Sequence, residues 1–311
     1  MMLAALSGAG DVLALLVAIR VQTLPDPLGP LSSRSIWYAE PLCLPTAEGV
    51  DALAEIVREH DAFMRHRVLF TEIRPVWAAG MERIALERCG YHYMGYLNYV
   101  VDLSQSVDTI WGKLRKSCRS SIRRYEKRGM EIRDVTSDEG IDLLYHFATL
   151  SYENSQVPLA DKSMFTGAFR ILNPHNMVKV FVAYYDDKPV AADIDLYYKQ
   201  LEFAWYGGLE RIKGISPAEN LTWHQFVYGH EHGYTMFDFG GAGWPDEPYG
   251  VRDFKAKFGG DLVNYGRYRR VYSYPKLRII EKAYHMVRGY MTRRRLSGSS
   301  SGDDGDETTS T

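Results

Sequence analysis

Cysteine is scarce: three residues, Cys43, Cys89 and Cys118, stand in a chain of 311. Their wide spacing builds neither a disulfide framework nor a zinc site, so a reducing compartment is the default expectation. Long apolar runs are missing as well. Met1 to Ile19 is interrupted by Asp11 and has no basic segment ahead of it, unlike a secretory signal. Val12 to Ile19 alone is too short to span a bilayer, and a buried strand over 11–21 fits better. His224, His230 and His232 lack the i, i+4 spacing of a ligand pair and no carboxylate completes a set, so no metal is expected. A Walker loop, a dinucleotide fingerprint and a Gly-x-Ser-x-Gly elbow are also absent.

Charge of one sign is lacking too, with a formal net of −2. The imbalance is local: the segment from Ser297 holds four acids and no base, so the rest of the chain carries +2. Such a tail cannot bury apolar surface and is expected to be disordered. What is present is an ordinary globular composition, 46% hydrophobic and 24% charged, enough for one large core or two modest ones. The 22 tyrosines are expected mostly in strands and packing positions.

Periodicity gives an alternating order. After a loop with Pro25, Pro27, Gly29 and Pro30, apolar spacing from Val50 to Val57 predicts a helix over 46–64 capped by Thr46. A strand over 68–74, a short helix over 81–89 and a long aromatic strand over 91–103 follow, as suits an α/β half-domain. A basic helix begins at Asp108. Helices over 137–152, 161–172 and 217–232 accompany strands at 177–186, 189–198, 201–207, 235–240 and 262–273. The last helix, Lys276 to Leu296, is basic with one apolar stripe. That stripe fits docking on the core. The arginines at its end fit an anionic membrane surface, with a cytoplasmic protein held weakly at the inner face.

Two blocks carry chemistry. The first reads Phe237-Asp-Phe-Gly-Gly-Ala, then Gly250, then Phe254-Lys255-Ala-Lys257-Phe258-Gly259. A lysine beside flexible backbone after a buried strand suits the steadying of an oxyanion; the competing reading is a glycine-shaped turn with a solvated lysine. Asp238, between two phenylalanines that face the other way, either orients an attacking amine or caps the Gly240-Gly241 turn. The second block runs from Trp111 to Gly129. Arg115, Arg119 and Arg123 recur every four residues, beside a row of Lys116, Ser120 and Arg124. Phosphate capture and a solvated face both fit.

In order along the chain, the basic segment 111–129, Val182 to Ala192, Phe203-Ala-Trp-Tyr206-Gly-Gly, Pro217 to Trp223 and the Phe237–Lys255 segment resemble the FemABX-like acyltransferases of the GNAT superfold. The resemblance covers roughly residues 68–270. It implies a mixed α/β (α+β) fold of two GNAT-like subdomains, mixed sheets flanked by helices. They are a shortened one over 1–107 and an acyltransferase subdomain over 108–275. It also implies Lys255, with Phe254 beside it, facing the donor carbonyl and phosphate, and Tyr206 on the acceptor side; strand packing is the other reading of Tyr206. Further implied are amide formation on an amine in cell-envelope or surface-polymer assembly and a phosphorylated or lipid-linked acceptor. The donor is a charged tRNA or acyl-coenzyme A, and no cofactor is tightly bound.

Two places depart from the pattern. The loop that cradles the coenzyme A pyrophosphate reads Arg211-Ile-Lys-Gly214-Ile-Ser216 here, a partial match. Where relatives show Thr-x-x-Arg, Ser151 stands for the threonine and Asn154 for the arginine, which argues against a murein-precursor acceptor. Two further readings stand beside aminoacyl transfer: a non-catalytic phosphate- or RNA-binding module of the same fold, and a coenzyme A-dependent N-acetyltransferase.

Overall fold

A computed structural model describes residues 1–22, 24, 29–155, 159–280 and 282. The chain opens with β1 (Met2–Leu6), β2 (Val12–Val17), β3 (Ile19–Val21), β4 (Arg34–Trp37), β5 (Leu42–Cys43), α1 (Ala47–Met64), β6 (Phe70–Ile73), α2 (Glu82–Arg88) and β7 (His92–Met94). It continues through β8 (Asn98–Asp102), α3 (Val107–Lys113), α4 (Lys116–Glu126), β9 (Glu131–Asp134), α5 (Asp138–Ser155) and α6 (Lys162–Leu172). Last come β10 (Val178–Tyr185), β11 (Lys188–Tyr198), β12 (Leu201–Leu209), α7 (Ala218–Glu231), β13 (Met236–Gly241), α8 (Gly250–Lys255), β14 (Asp261–Val263) and β15 (Arg267–Val271).

Contacts divide the chain at Gly95 and Gly266 into two units. The first, Met1–Met94 with the segment from Arg267, holds a three-stranded sheet ordered β1-β2-β5 and a five-stranded one ordered β3-β4-β6-β15-β7. Its core forms because α1 carries Val50, Leu53, Ala54 and Val57 on one stripe, against Trp37, Ile73 and Tyr268. Thr46 caps α1 as expected, its hydroxyl accepting from the Gly49 amide at 3.1 Å.

Two buried polar networks stiffen this unit. His60 Nε2 accepts from the Trp37 indole at 3.3 Å and lies 3.0 Å from Ser35 Oγ, while Nδ1–H donates to Asp61 at 3.1 Å. Asp61 also accepts from Tyr91, Tyr272 and Arg270 at 2.8, 2.5 and 2.7 Å. Glu72 pairs with Arg74 and Arg267 at 2.9 and 3.0 Å and with Arg269 at 2.5 Å. Burial pushes the Glu72 carboxyl up, but the three guanidinium groups outweigh it and bring it down to about 2.

The second unit, Gly95–Gly266, is built on a seven-stranded sheet ordered β14-β8-β13-β12-β11-β10-β9. α5 and α6 cover one face through Leu144, Phe147, Phe165 and Phe169. α7 covers the other, with Phe226 packed on Phe237, Phe239 and Phe258. Within this sheet the only parallel pairing among the described residues is β12 with β13, and it ends early. Partners run from Leu201↔Met236 to Phe203↔Asp238, after which the two strands part. Trp205 stands in a bulge there, since Asp195 faces Ala204 and Ile194 faces Tyr206. That opening positions the site.

Several expectations change at glycines and breaks. The strand read over 91–103 is two, β7 and β8, lying in different units on either side of Gly95. The strand read at 262–273 likewise divides, into β14 and β15, at Gly266, whose φ of 71° turns the chain. Contacts thus divide the chain at Gly95 and Gly266, whereas the subdomain boundaries expected from the resemblance lie at 107 and 275. The strand over 11–21 splits into β2 and β3, and β2 pairs antiparallel with an unforeseen β1. The basic helix is two helices. Ser106 rather than Asp108 caps α3, and Leu114 and Arg115 are extended between α3 and α4, with the Arg115 amide donating to Lys257 O at 2.8 Å. Past 274–280, which begin a helix, the basic helix to Leu296 and the acidic tail lie outside the described residues, as do Pro25 and Pro27.

Candidate active site at the parting of two parallel strands

Where β12 and β13 separate, a cleft of about 520 Å³ opens within the second unit. β12 lends Phe203 to Gly207, β13 lends Phe237 and Phe239 to Gly241, and α8 adds Val251, Phe254 and Lys255. Its polar lining includes Ser151, Asp193, Asp195, Thr222, Gln225 and Lys255. The size and the mix of aromatic walls with few polar groups suit a small-molecule or acyl-chain site.

Lys255 is in the cleft wall but not on a loop. It ends α8, a helix the sequence reading did not foresee, and is 7% exposed. Its ammonium donates to the carbonyls of Phe239, Gly240 and Gly241 at 2.7, 3.2 and 2.8 Å, so all three hydrogens are used. Burial pushes its pKa down to about 8, opposed by the charge of Asp238. Lys255 thus clamps the carbonyls of β13 and holds the glycine turn open.

Asp238 is buried and is not among the cleft-lining residues. Its carboxylate accepts from the Gly240 amide at 2.7 Å and from Asn98 Nδ2 at 3.1 Å, which makes it the cap of the turn. Gly240, at φ 69°, needs that turn. Burial raises the Asp238 carboxyl to about 6, against those hydrogen bonds and Lys255. Tyr206 does line the cleft. It stacks on Tyr152 at 5.8 Å and meets the edge of Phe165 at 4.9 Å, so packing and lining roles coincide. Ser151 also lines it, with its hydroxyl bonded to Leu209, accepting from the amide at 3.0 Å and donating to the carbonyl at 3.4 Å.

The basic residues gather elsewhere. None of Arg115, Arg119, Arg123, Arg124, Arg211 and Gly214 lines the cleft. Arg119 folds back on the end of α3, donating to Gly112 O at 2.9 Å and to Leu114 O, and Arg123 lies 5.1 Å over the Trp111 ring. Arg115, Arg124 and Arg211 are exposed. α4 does hold the Arg211–Ser216 loop, because Tyr125 OH donates to Gly214 O at 2.6 Å. At the start of α7, where a phosphate would meet free amides, Glu219 is already in place. It is 6% exposed, accepts from Ser216 and pairs with Lys257 at 3.2 Å.

Sequence reasoning missed the acidic floor. Asp193 accepts from Gln225 Nε2 at 3.3 Å, and burial pushes its carboxyl up to about 7 against that bond. Asp195, fully buried two residues on, has neither oxygen hydrogen-bonded. Glu202, a neighbour of Asp195 on β12 outside the cleft lining, accepts from Tyr197 OH at 2.8 Å through Oε1, with Oε2 unpartnered. The signal was present: Ala-Asp193-Ile-Asp195-Leu puts two acids on one face of an otherwise apolar strand.

Residues 112–255 match the family model described as an acetyltransferase (GNAT) domain. That span lies within the second unit, which is thus similar to a GNAT domain. The fold of the whole chain is GNAT-like as well. It is similar to the structure of FemX, at 14% identity and a TM-score of 0.66, with 90% of each chain covered. It is similar to L-PGS from Bacillus licheniformis, at 18% identity and 0.58, covering 88% of this chain and 86% of that one. The C-terminal domain of a putative lysylphosphatidylglycerol synthetase from Agrobacterium fabrum is similar at 16% identity and 0.58, covering 91% and 88%. No curated protein sequence matches the chain. The GNAT match and fold support an acyltransferase. No helix among the described residues is long and apolar enough to cross a membrane.

Proposed function

We propose that this chain transfers an acyl group from an activated ester or thioester to an amine, with the reaction in the opening between β12 and β13. The observation that carries this reading is a titratable carboxylate, Asp193, lining a cleft at the point where an unpaired strand edge is also exposed. A carboxyl near 7 is matched to proton transfer at neutral pH. The amine nitrogen attacks the acyl carbonyl carbon, the new C–N bond forms, and the amine proton passes to Asp193. Collapse breaks the bond to the donor oxygen or sulfur, and the proton leaves with that group. The carbonyl oxygen gains charge meanwhile. The amides of β12 past Ala204, no longer paired with β13, are placed to meet it. Lys255 contributes its charge and the shape of the β13 turn rather than a free hydrogen.

Of the two donors, the geometry favours an aminoacyl ester such as a charged tRNA. A pyrophosphate at α7 would have to approach the Glu219 carboxylate, itself held by Ser216 and Lys257. The exposed cations of α4 beside the Arg211–Ser216 loop offer a phosphate-backbone contact instead. The envelope setting and a phosphorylated or lipid-linked acceptor rest on the resemblance alone.

The test supplies the full chain with a primary amine and either acetyl-coenzyme A or an aminoacyl-tRNA pool, and follows amide products by mass spectrometry. Amide formation from the aminoacyl ester, lost in Asp193→Asn, is expected. Micromolar acetyl-coenzyme A binding abolished by Gly214→Glu would reverse the donor order. RNA binding with steep salt dependence and no donor consumed would establish the non-catalytic module instead.

A further inference from the structure

The floor of the cleft poses a problem of charge. Asp193 and Asp195 line it from β11, Glu202 lies behind Asp195 on β12 and outside the lining, and none of the three makes an ion pair among the described residues. The fold makes room for them: a Cβ on Gly207 would fall 1.9 Å from Asp193 Oδ1, and one on Gly229 would fall 2.0 Å from Glu202 Oε2. Three acceptor oxygens, both of Asp195 and one of Glu202, are left unsatisfied out of water. Burying such groups without partners costs several kcal/mol, so their retention in a lined cleft points to a ligand that completes them.

All three lie on the α7 side of the sheet. Gln225 of α7 bonds Asp193, and Gly229 of α7 abuts Glu202. Tyr206, packed on α5 and α6, marks the other side. A ligand that donates hydrogen bonds and carries a positive charge suits these ionisable carboxyls, and Phe237 and Phe239 stand in the same lining. A metal ion fits poorly, because no three of the described His, Cys, Asp and Glu side chains converge as ligands. An alkylammonium suits better, since its N–H donors can meet the unsatisfied Asp195 oxygens without a fixed coordination geometry.

We infer that the α7 side of the cleft is a subsite for an alkylammonium group of a substrate, met by Asp193 at its mouth with Asp195 and Glu202 behind. This rests on the same cleft as the acyl-transfer reading but concerns binding alone. It adds that one substrate carries a positive charge there, either on the amine before it reacts or on the acyl group beside its carbonyl.

Burial holds the carboxyls of Asp195 and Glu202 well above the ordinary range; Asp193 and Glu202 each face Asp195, and Tyr197 on β11, Gln225 and Tyr228 on α7 and Tyr234 just after α7 are the surrounding polar groups. A bound ammonium must therefore expel a proton. Calorimetry of the full chain at pH 7, in two buffers of different ionisation heat, reads that release directly. The probes are n-butylamine for the amine source, glycine methyl ester for the acyl source, and 1-butanol as the uncharged control. Saturable binding of one amine probe with net proton release is expected, with at least a tenfold loss of affinity in Asp195→Asn and a smaller loss in Glu202→Gln. Both variants keep the shape and remove only ionisable carboxyls. Tighter binding by n-butylamine would assign the subsite to the acceptor, and by the ester to the acyl group. Equal affinity of 1-butanol, or amine binding unchanged in Asp195→Asn with no proton released, would overturn the inference. Because no turnover is measured, failure here would leave the acyl-transfer reading standing, and an inactive enzyme that still binds amines would separate the two the other way.

Discussion

Asp193→Asn should make the protein more stable, and increasingly so as pH rises. The folded state holds this carboxyl at about 7 because burial disfavours its ionisation, whereas the unfolded chain has it near its ordinary 3.8. Between those values the unfolded state has lost a proton that the folded state keeps, so stability falls as pH rises from about 4 to about 7 and then levels. Integrated for one group, the native carboxyl costs roughly 1.5 kcal/mol at pH 5 and roughly 4 kcal/mol at pH 8. An asparagine cannot ionise, so the advantage of the variant should grow by about 2–3 kcal/mol over that interval. Urea unfolding of both proteins at pH 5, 6, 7 and 8, read as midpoint shifts at unchanged slope, measures it. A difference that stays flat across the series would refute the reasoning. It would mean that Asp193 is solvated in the native state and that its use as a base at neutral pH has no physical footing.

Other outcomes follow from the same geometry. Turnover should rise with pH as Asp193 ionises through about 7 and decline above about 8 as Lys255 loses its proton, a narrow bell whose acidic limb is missing in Asp193→Asn; a plateau to pH 10 would remove Lys255 charge from the reaction. Lys255→Met should cost about 3 kcal/mol by leaving three buried carbonyls unpaired, seen as a lower urea midpoint along with lost activity. Glu72 contributes stability that is full above about 4.5 and lost as pH falls through about 2, so Glu72→Gln should be about 3 kcal/mol weaker at pH 7 and indistinguishable near pH 2 by chemical unfolding. Asp61→Asn should destabilise the first unit by about 3 kcal/mol, because Arg270 would be left without its carboxylate, and circular dichroism melting should show it.

Much of the fold was legible because periodicity reports burial directly. The stripe of α1, the run of β10, β11 and β12, and the span of α7 follow from which residues must leave water. Breaks were harder to read. Gly95 and Gly266 split two apparently continuous strands because their partners lie in different sheets, and partners are not a local property. The site was half legible. Lys255 and Tyr206 could be placed at the cleft from motif order, yet the sequence could not say that the lysine would spend its hydrogens on its own backbone. Asp238 had two readings, and the structure gives it the Gly240 amide. Asp193 and Asp195 passed unnoticed since an acid in a strand ordinarily marks a solvated face; only the helix covering that face, α7, takes them from solvent, Asp195 fully and Asp193 in part.

Ser35, His60 and Asp61 have a wider consequence. A search for a nucleophile, a base and an orienting carboxylate by distance alone would accept them, for the hydroxyl is 3.0 Å from Nε2 and the carboxylate 3.1 Å from Nδ1. The trio resembles a hydrolase triad in spacing and has none of its chemistry. Nε2, which would have to take the serine proton, already receives the Trp37 indole, and Ser35 and His60 have no exposed surface. A geometric template would thus assign a peptidase or esterase to the wrong unit of this chain, and a fluorophosphonate probe should leave Ser35 unlabelled. Vacant lone pairs and a route for substrate, not interatomic distances, are what separate a catalytic constellation from a structural one.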